Sequence, residues 1–119
     1  MIIVNEIYGK RIRDQCKVYN EIVDGYIKLD DYMSAIGFLN DMHEVITNDY
    51  EDEIKMEDAK CLKRVGEIYQ YQREFEISYY WLKEARKTVR GLSSKFVNKR
   101  KPKEVKELKQ QLEKLIIRY

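Results

Sequence analysis

The chain has 119 residues, enough to bury one hydrophobic core and too few for a multidomain enzyme. Apolar residues make up 44% and charged residues 37%, with five glycines and one proline, a composition that excludes a disordered tail or a loop-rich sandwich and predicts an all-α protein. The formal charge of +2 hides opposed halves, with 6 Lys/Arg against 14 Asp/Glu over residues 1–59 and 17 against 7 over residues 60–119.

The opening Met1-Ile2-Ile3-Val4 run lacks a basic region before it and reads as neither a signal peptide nor a membrane span. Two widely separated cysteines, Cys16 and Cys61, are expected to be small buried apolar residues in a reducing, cytoplasmic compartment. From about Lys10 the residues Ile12, Cys16, Tyr19, Ile22, Val23, Tyr26 and Leu29 recur mostly at spacings of three and four, which predicts a helix with one buried face. Asp30-Asp31 offers N-cap chemistry for a second helix, whose stripe is Tyr32, Ala35, Ile36, Leu39, Met42, Val45 and Ile46. The short link makes the two antiparallel, a first hairpin over residues 10–47.

Residues 48–58 interrupt the periodicity and are expected to form an acidic connection; residues 41–58 hold 8 acids and one base. Asn48 to Glu53 superficially resembles a calcium loop, but the Gly at its sixth position and the Glu at its twelfth are missing. A second hairpin follows over residues 59–91, with stripes Leu62, Val65, Gly66, Ile68, Tyr69 and then Phe75, Ser78, Tyr79, Leu82, Ala85, Val89, broken at Gln72-Arg73-Glu74. Residues 92–101 read as a basic linker. Pro102 opens a terminal helix over residues 102–118, carrying Val105, Leu108, Leu112, Leu115 and Ile116.

Two units of similar length invite a test for repetition. Counted from Ala59, the residues Leu62, Val65, Gly66, Tyr69, Phe75, Ser78, Leu82 and Ala85 resemble the large, large, small, aromatic, aromatic, small, large and small pattern of a tetratricopeptide repeat. Counted from Cys16, the residues Tyr19, Ile22, Val23, Tyr26, Tyr32, Ala35, Leu39 and Met42 fall at the same places. Val23 and Met42 stand where the family has small residues, and neither unit ends in the family's Pro. The resemblance implies two antiparallel helical hairpins plus a C-terminal capping helix; a non-repeat helical bundle is the alternative.

It also implies that the inner helix of each hairpin lines a groove for a partner protein, exposing Lys17, Asn20, Asp24, Ile27 and Lys28 from the first and Lys60, Lys63, Glu67, Gln70 and Tyr71 from the second. Asp24 and Glu67 would repel the C-terminal carboxylate that chaperone-binding members of the family clamp, so a mixed-charge partner fits better. Tyr79-Tyr80-Trp81 is wider than one helical face; Tyr80 and Trp81 are candidates for partner contact, the alternative being that Trp81 packs against the terminal helix.

The single histidine, His43, has Glu44 as its nearest acid in sequence and no marked nucleophile, and no phosphate-binding glycine loop is present. A non-enzyme without cofactor or metal is expected, acting as an adaptor or inhibitor. The rival reading is a nucleic-acid-associated regulator using Lys99, Arg100, Lys101 and Lys103 on phosphates, in a stretch, residues 83–109, with 11 bases and 3 acids. An apolar terminal stripe and opposed charges further predict a homodimer. The Lys, Ile, Asn and Tyr usage is that of a low-GC coding sequence, in keeping with a bacterial or phage origin.

Overall fold

The computed structural model of the chain describes the backbone of residues 2–47 and 51–117, and the side chains of those from residue 10 onward except Arg100. Over these residues the protein is all-helical. The helices are α1 (Ile2–Lys28), α2 (Tyr32–Ile46), α3 (Asp52–Tyr71), α4 (Phe75–Arg90) and α5 (Pro102–Ile117), with a π-helical turn at Phe96–Arg100. No described helix is long and apolar enough to cross a membrane.

Two of the expected boundaries move. α1 starts at Ile2 rather than near Lys10, and α3 starts at Asp52 rather than Ala59. Much of the expected acidic connection is therefore helical. Asp52 and Glu53 occupy the first turn of α3, where the helix dipole favours acids, while Ile54, Met56 and Asp58 are buried. The expected basic linker is likewise not a free strand of loop: Leu92 and Phe96 are buried, and Ser93 ties it to α3 by donating from N–H and Oγ to Asp52, at 3.2 and 2.6 Å. The residues Asn48 to Tyr50 of the calcium-like stretch lie outside the described residues.

α3 is the middle of the molecule because it is apolar on two faces. Its Ile54, Cys61, Val65 and Ile68 join α1 and α2 in one core cluster, which includes Cys16, Val23, Leu39 and Met42. Met56, Ala59 and Leu62 join α4 and α5 in a second, with Leu82, Val89, Phe96, Val105 and Leu112. Accordingly α2 packs on α1 and α3, α4 on α3 and α5, and α1 and α5 flank α3. Arg13 pairs with Glu53 at 2.8 Å and Arg64 donates to Asn20 at 3.2 Å, so α1 and α3 run in the same direction. Part of the terminal stripe packs within the chain: Val105, Leu108 and Leu112 are buried in the second core cluster, and Leu115 and Ile116 are partly buried against it.

α3 and α4 cross closely at Gly66. A Cβ on Gly66 would sit 2.7 Å from the Leu82 side chain and 3.3 Å from the Ser78 carbonyl oxygen, and buried Ser78 donates from Oγ to the Gly66 carbonyl at 2.7 Å.

The two short turns are built alike. Asp31 N–H donates to the Tyr26 carbonyl and Asp30 N–H to that of Ile27; Glu74 N–H donates to Tyr69 and Arg73 N–H to Gln70 in the same pattern, at 2.9–3.0 Å. Each is a Schellman-type helix end, with Asp30 (φ 58°) and Arg73 (φ 64°) in the left-handed region. Asp31 then caps α2, accepting from Ser34 N–H at 3.2 Å and Ser34 Oγ at 2.8 Å. A non-glycine residue in this region costs roughly 1–2 kcal/mol, partly offset by the unfolded-state entropy glycine adds. Arg73→Gly is therefore expected to raise the unfolding free energy by about 0.5 kcal/mol, read from urea denaturation.

Candidate functional site

The polar residues of α1, α3 and α5 that face away from the two core clusters meet in an open groove of about 480 Å³. α1 contributes Asn20, α3 contributes Lys60, Lys63, Arg64 and Glu67, and α5 contributes Glu104, Glu107, Leu108 and Gln111. Its walls have opposite character, with cations on α3 facing the two acids of α5. Local pairs hold the walls loosely: Lys63 with Glu67 at 3.5 Å, Lys60 with Glu57 at 3.7 Å and Lys101 with Glu104 at 3.8 Å. Pairs between neighbours along a helix stabilise by only about 0.3–0.5 kcal/mol, and Lys60, Glu67 and Glu104 among them are exposed.

At the C-terminal end of α3 the groove continues, through Glu67, into a notch of about 410 Å³ lined also by Gln70, Tyr71, Phe75 and Leu115. Gln70 Nε2 donates to the Leu115 carbonyl at 3.3 Å, fastening the end of α5 to α3. Tyr71 is held by Tyr32, ring centroids 5.3 Å apart. The neighbouring Tyr71 hydroxyl, followed by desolvation and the Asp30 carboxylate, pushes the Tyr32 pKa up to about 12.

Of the residues anticipated from sequence, Asn20, Lys60, Lys63 and Glu67 line the groove and Gln70 and Tyr71 the notch. Asp24 lies beside them, bound to Arg64. Lys17 and Lys28 are exposed on α1 and line neither space. Ile27 is a correction: it packs against the first core cluster. Arg64, Glu104 and Glu107 were not singled out in the sequence. The spacing of Lys60, Lys63, Arg64 and Glu67 marked one helical face, but nothing local placed α5 opposite it.

Tyr80 is 55% exposed and meets Trp81 edge-on at 5.5 Å. Trp81 is half-buried and packs against both core clusters. Lys99 and Lys103 are exposed, Lys101 turns toward Glu104, and the Arg100 side chain lies outside the described residues.

His43 is not alone. Its Nδ1–H donates to Asp58 Oδ1 at 2.6 Å, joining α2 to α3, and its ring stands edge-on to Trp81 at 6.3 Å. The hydrogen bond to Asp58 raises the His43 pKa above the ordinary value, against the lowering effect of burial. Neither thiol is activated for chemistry: burial pushes Cys16 up to about 11 and Cys61 higher still, and Cys61 Sγ donates to the Leu39 carbonyl at 3.1 Å. Among the described residues no cluster of His, Cys, Asp and Glu is arranged to hold a metal ion. The chain matches no known family, no curated protein and no solved structure.

Proposed function

We propose that this chain is a small non-enzymatic protein-interaction module, an adaptor or inhibitor, made of two tetratricopeptide-like hairpins and a capping helix, which takes a segment of a partner protein in the groove between α1, α3 and α5. The repeat part of this reading is supported by the matching turns after α1 and α3. It is supported also by pairs that link α1 to α3 at separations of 40 and 44 residues, bracketing the separation of Cys16 and Ala59. Gly66, Ser78 and Ala85 at the α3–α4 crossing are small residues where the repeat pattern asks for them.

The observation that carries the function is the groove itself, with polar side chains of both charges from three separate helices along one open channel. Such an arrangement favours a partner segment of mixed charge over a uniformly anionic nucleic acid, because Glu67, Glu104 and Glu107 would repel phosphates. The test is selection of a random displayed-peptide library on the immobilised protein. Selected peptides should lose at least about tenfold in affinity for the Lys60→Glu, Lys63→Glu double variant. Peptides that bind both proteins equally, or a library that yields none, would remove the groove as the binding surface.

A further inference from the structure

The notch at the end of α3 has a chemistry of its own. Tyr71 is 72% exposed and Phe75 46%, an unusual display of aromatic surface beside a carboxylate. Tyrosine is among the side chains that most often anchor protein contacts. Tyr71 is also preorganised. Asp30 Oδ1 accepts from the Tyr32 hydroxyl at 3.2 Å, and the Tyr32 ring lies 5.3 Å from that of Tyr71, so the turn between α1 and α2 backs the ring at the mouth of the notch. The Gln70 bond to the Leu115 carbonyl fixes the aliphatic wall opposite.

Three kinds of occupant can be compared. An apolar side chain would take water from the Glu67 carboxylate without giving it a new hydrogen bond, which costs free energy. An acidic one would meet Glu67 as a like charge. A basic side chain suits all parts of the notch: its methylene stem lies against Phe75 and Leu115, its cation over the Tyr71 ring, and its N–H groups reach the Glu67 carboxylate. Glu67 already has Lys63 at 3.5 Å, but pairs of this kind along one helix stabilise by only about 0.2–0.5 kcal/mol, and the Glu67 side chain is exposed. The planar guanidinium, which stacks on rings and donates twice to a carboxylate, suits the site better than an ammonium.

We infer that the notch formed by Glu67, Tyr71, Phe75 and Leu115 is a specificity pocket for a basic side chain, arginine before lysine, on the partner segment lying in the groove. This deepens the groove reading and rests on it.

The test extends the peptide selection. Peptides selected on the wild-type protein should share one basic position, and replacing that residue with alanine should weaken binding by about tenfold. Glu67→Gln and Tyr71→Ala should each weaken the parent peptide by a similar factor and no longer distinguish it from its alanine version, the signature of direct coupling. Glu67→Lys should select an acidic residue at that position instead. Circular dichroism checks the folding of each variant, and Glu67→Lys carries the test if Tyr71→Ala fails to fold.

Peptides that depend on Lys60 and Lys63 but have no basic position coupled to Glu67 or Tyr71 would overturn the notch and leave the groove standing. A library that yields no binder overturns both. If the protein alone self-associates and Tyr71→Ala dissociates it, the basic residue belongs to a second copy, and the inference of a separate partner is wrong.

Discussion

Gly66→Leu is expected to lower the unfolding free energy by about 3 kcal/mol, the upper end of what overpacking costs. Even a methyl group is too large there, since a Cβ would lie 2.7 Å from the Leu82 side chain. Leu82 is fully buried and cannot swing away without displacing its neighbours in the second core cluster. Gly66→Ala should therefore also destabilise, although alanine is the better helix former by about 1 kcal/mol. Gly25 and Gly37 make the comparison sharp. They too lie within helices, but a Cβ on either meets nothing within 4 Å. Gly25→Ala and Gly37→Ala should each stabilise by about 0.5–1 kcal/mol. Urea midpoints of the three alanine variants decide the matter: stabilisation at all three positions would mean that α3 and α4 do not cross closely at Gly66.

His43→Ala is expected to cost about 3 kcal/mol, because it leaves the Asp58 carboxylate buried without its partner. The same pair makes stability depend on pH. His43 has its pKa raised above 6.5 in the folded protein, first by the hydrogen bond to Asp58, so the folded state holds the proton more tightly than the unfolded chain. The resulting stabilisation is fully present below about pH 6.5 and is lost as pH rises through the raised value. Asp58→Asn keeps an acceptor of the same size and removes the charge, so it should cost less than His43→Ala and flatten this fall. Urea denaturation from pH 6 to pH 9, followed by the emission of the single tryptophan, Trp81, beside His43, measures both effects. An unchanged slope in Asp58→Asn would show that His43 is not the group responsible.

Much of the local architecture is legible in the order of residues. The three-and-four spacing of Ala35, Ile36, Leu39 and Met42 marks α2, that of Leu82, Ala85 and Val89 marks α4, and that of Val105, Leu108 and Leu112 marks α5; all of these residues are buried. Asp31 could be read as an N-cap because a carboxylate before an apolar stripe satisfies a free N–H of the first turn, as it does for Ser34. These features depend on neighbours within one helical turn, so the sequence carries them directly.

The first turns of α3 were hidden for a physical reason. Ile54 and Met56 are two residues apart and enter different core clusters, which a helix with one buried face would never do. Amid Asp52, Glu53, Glu57 and Asp58 they look like an acidic connection. Only a helix packed on both sides makes sense of them.

Periodicity and turn chemistry are enough to mark α2, α4 and α5 and the two short turns, but not the starts of α1 and α3. Which distant groups face one another depends on the packing of the helices: Asp58 with His43, Glu104 and Glu107 across from Lys60 and Lys63, and Leu115 beside Tyr71 and Phe75. Those juxtapositions come from laying α1 and α5 along α3, and helices brought together by apolar stripes carry their polar faces into contact without any local signal in the residues between.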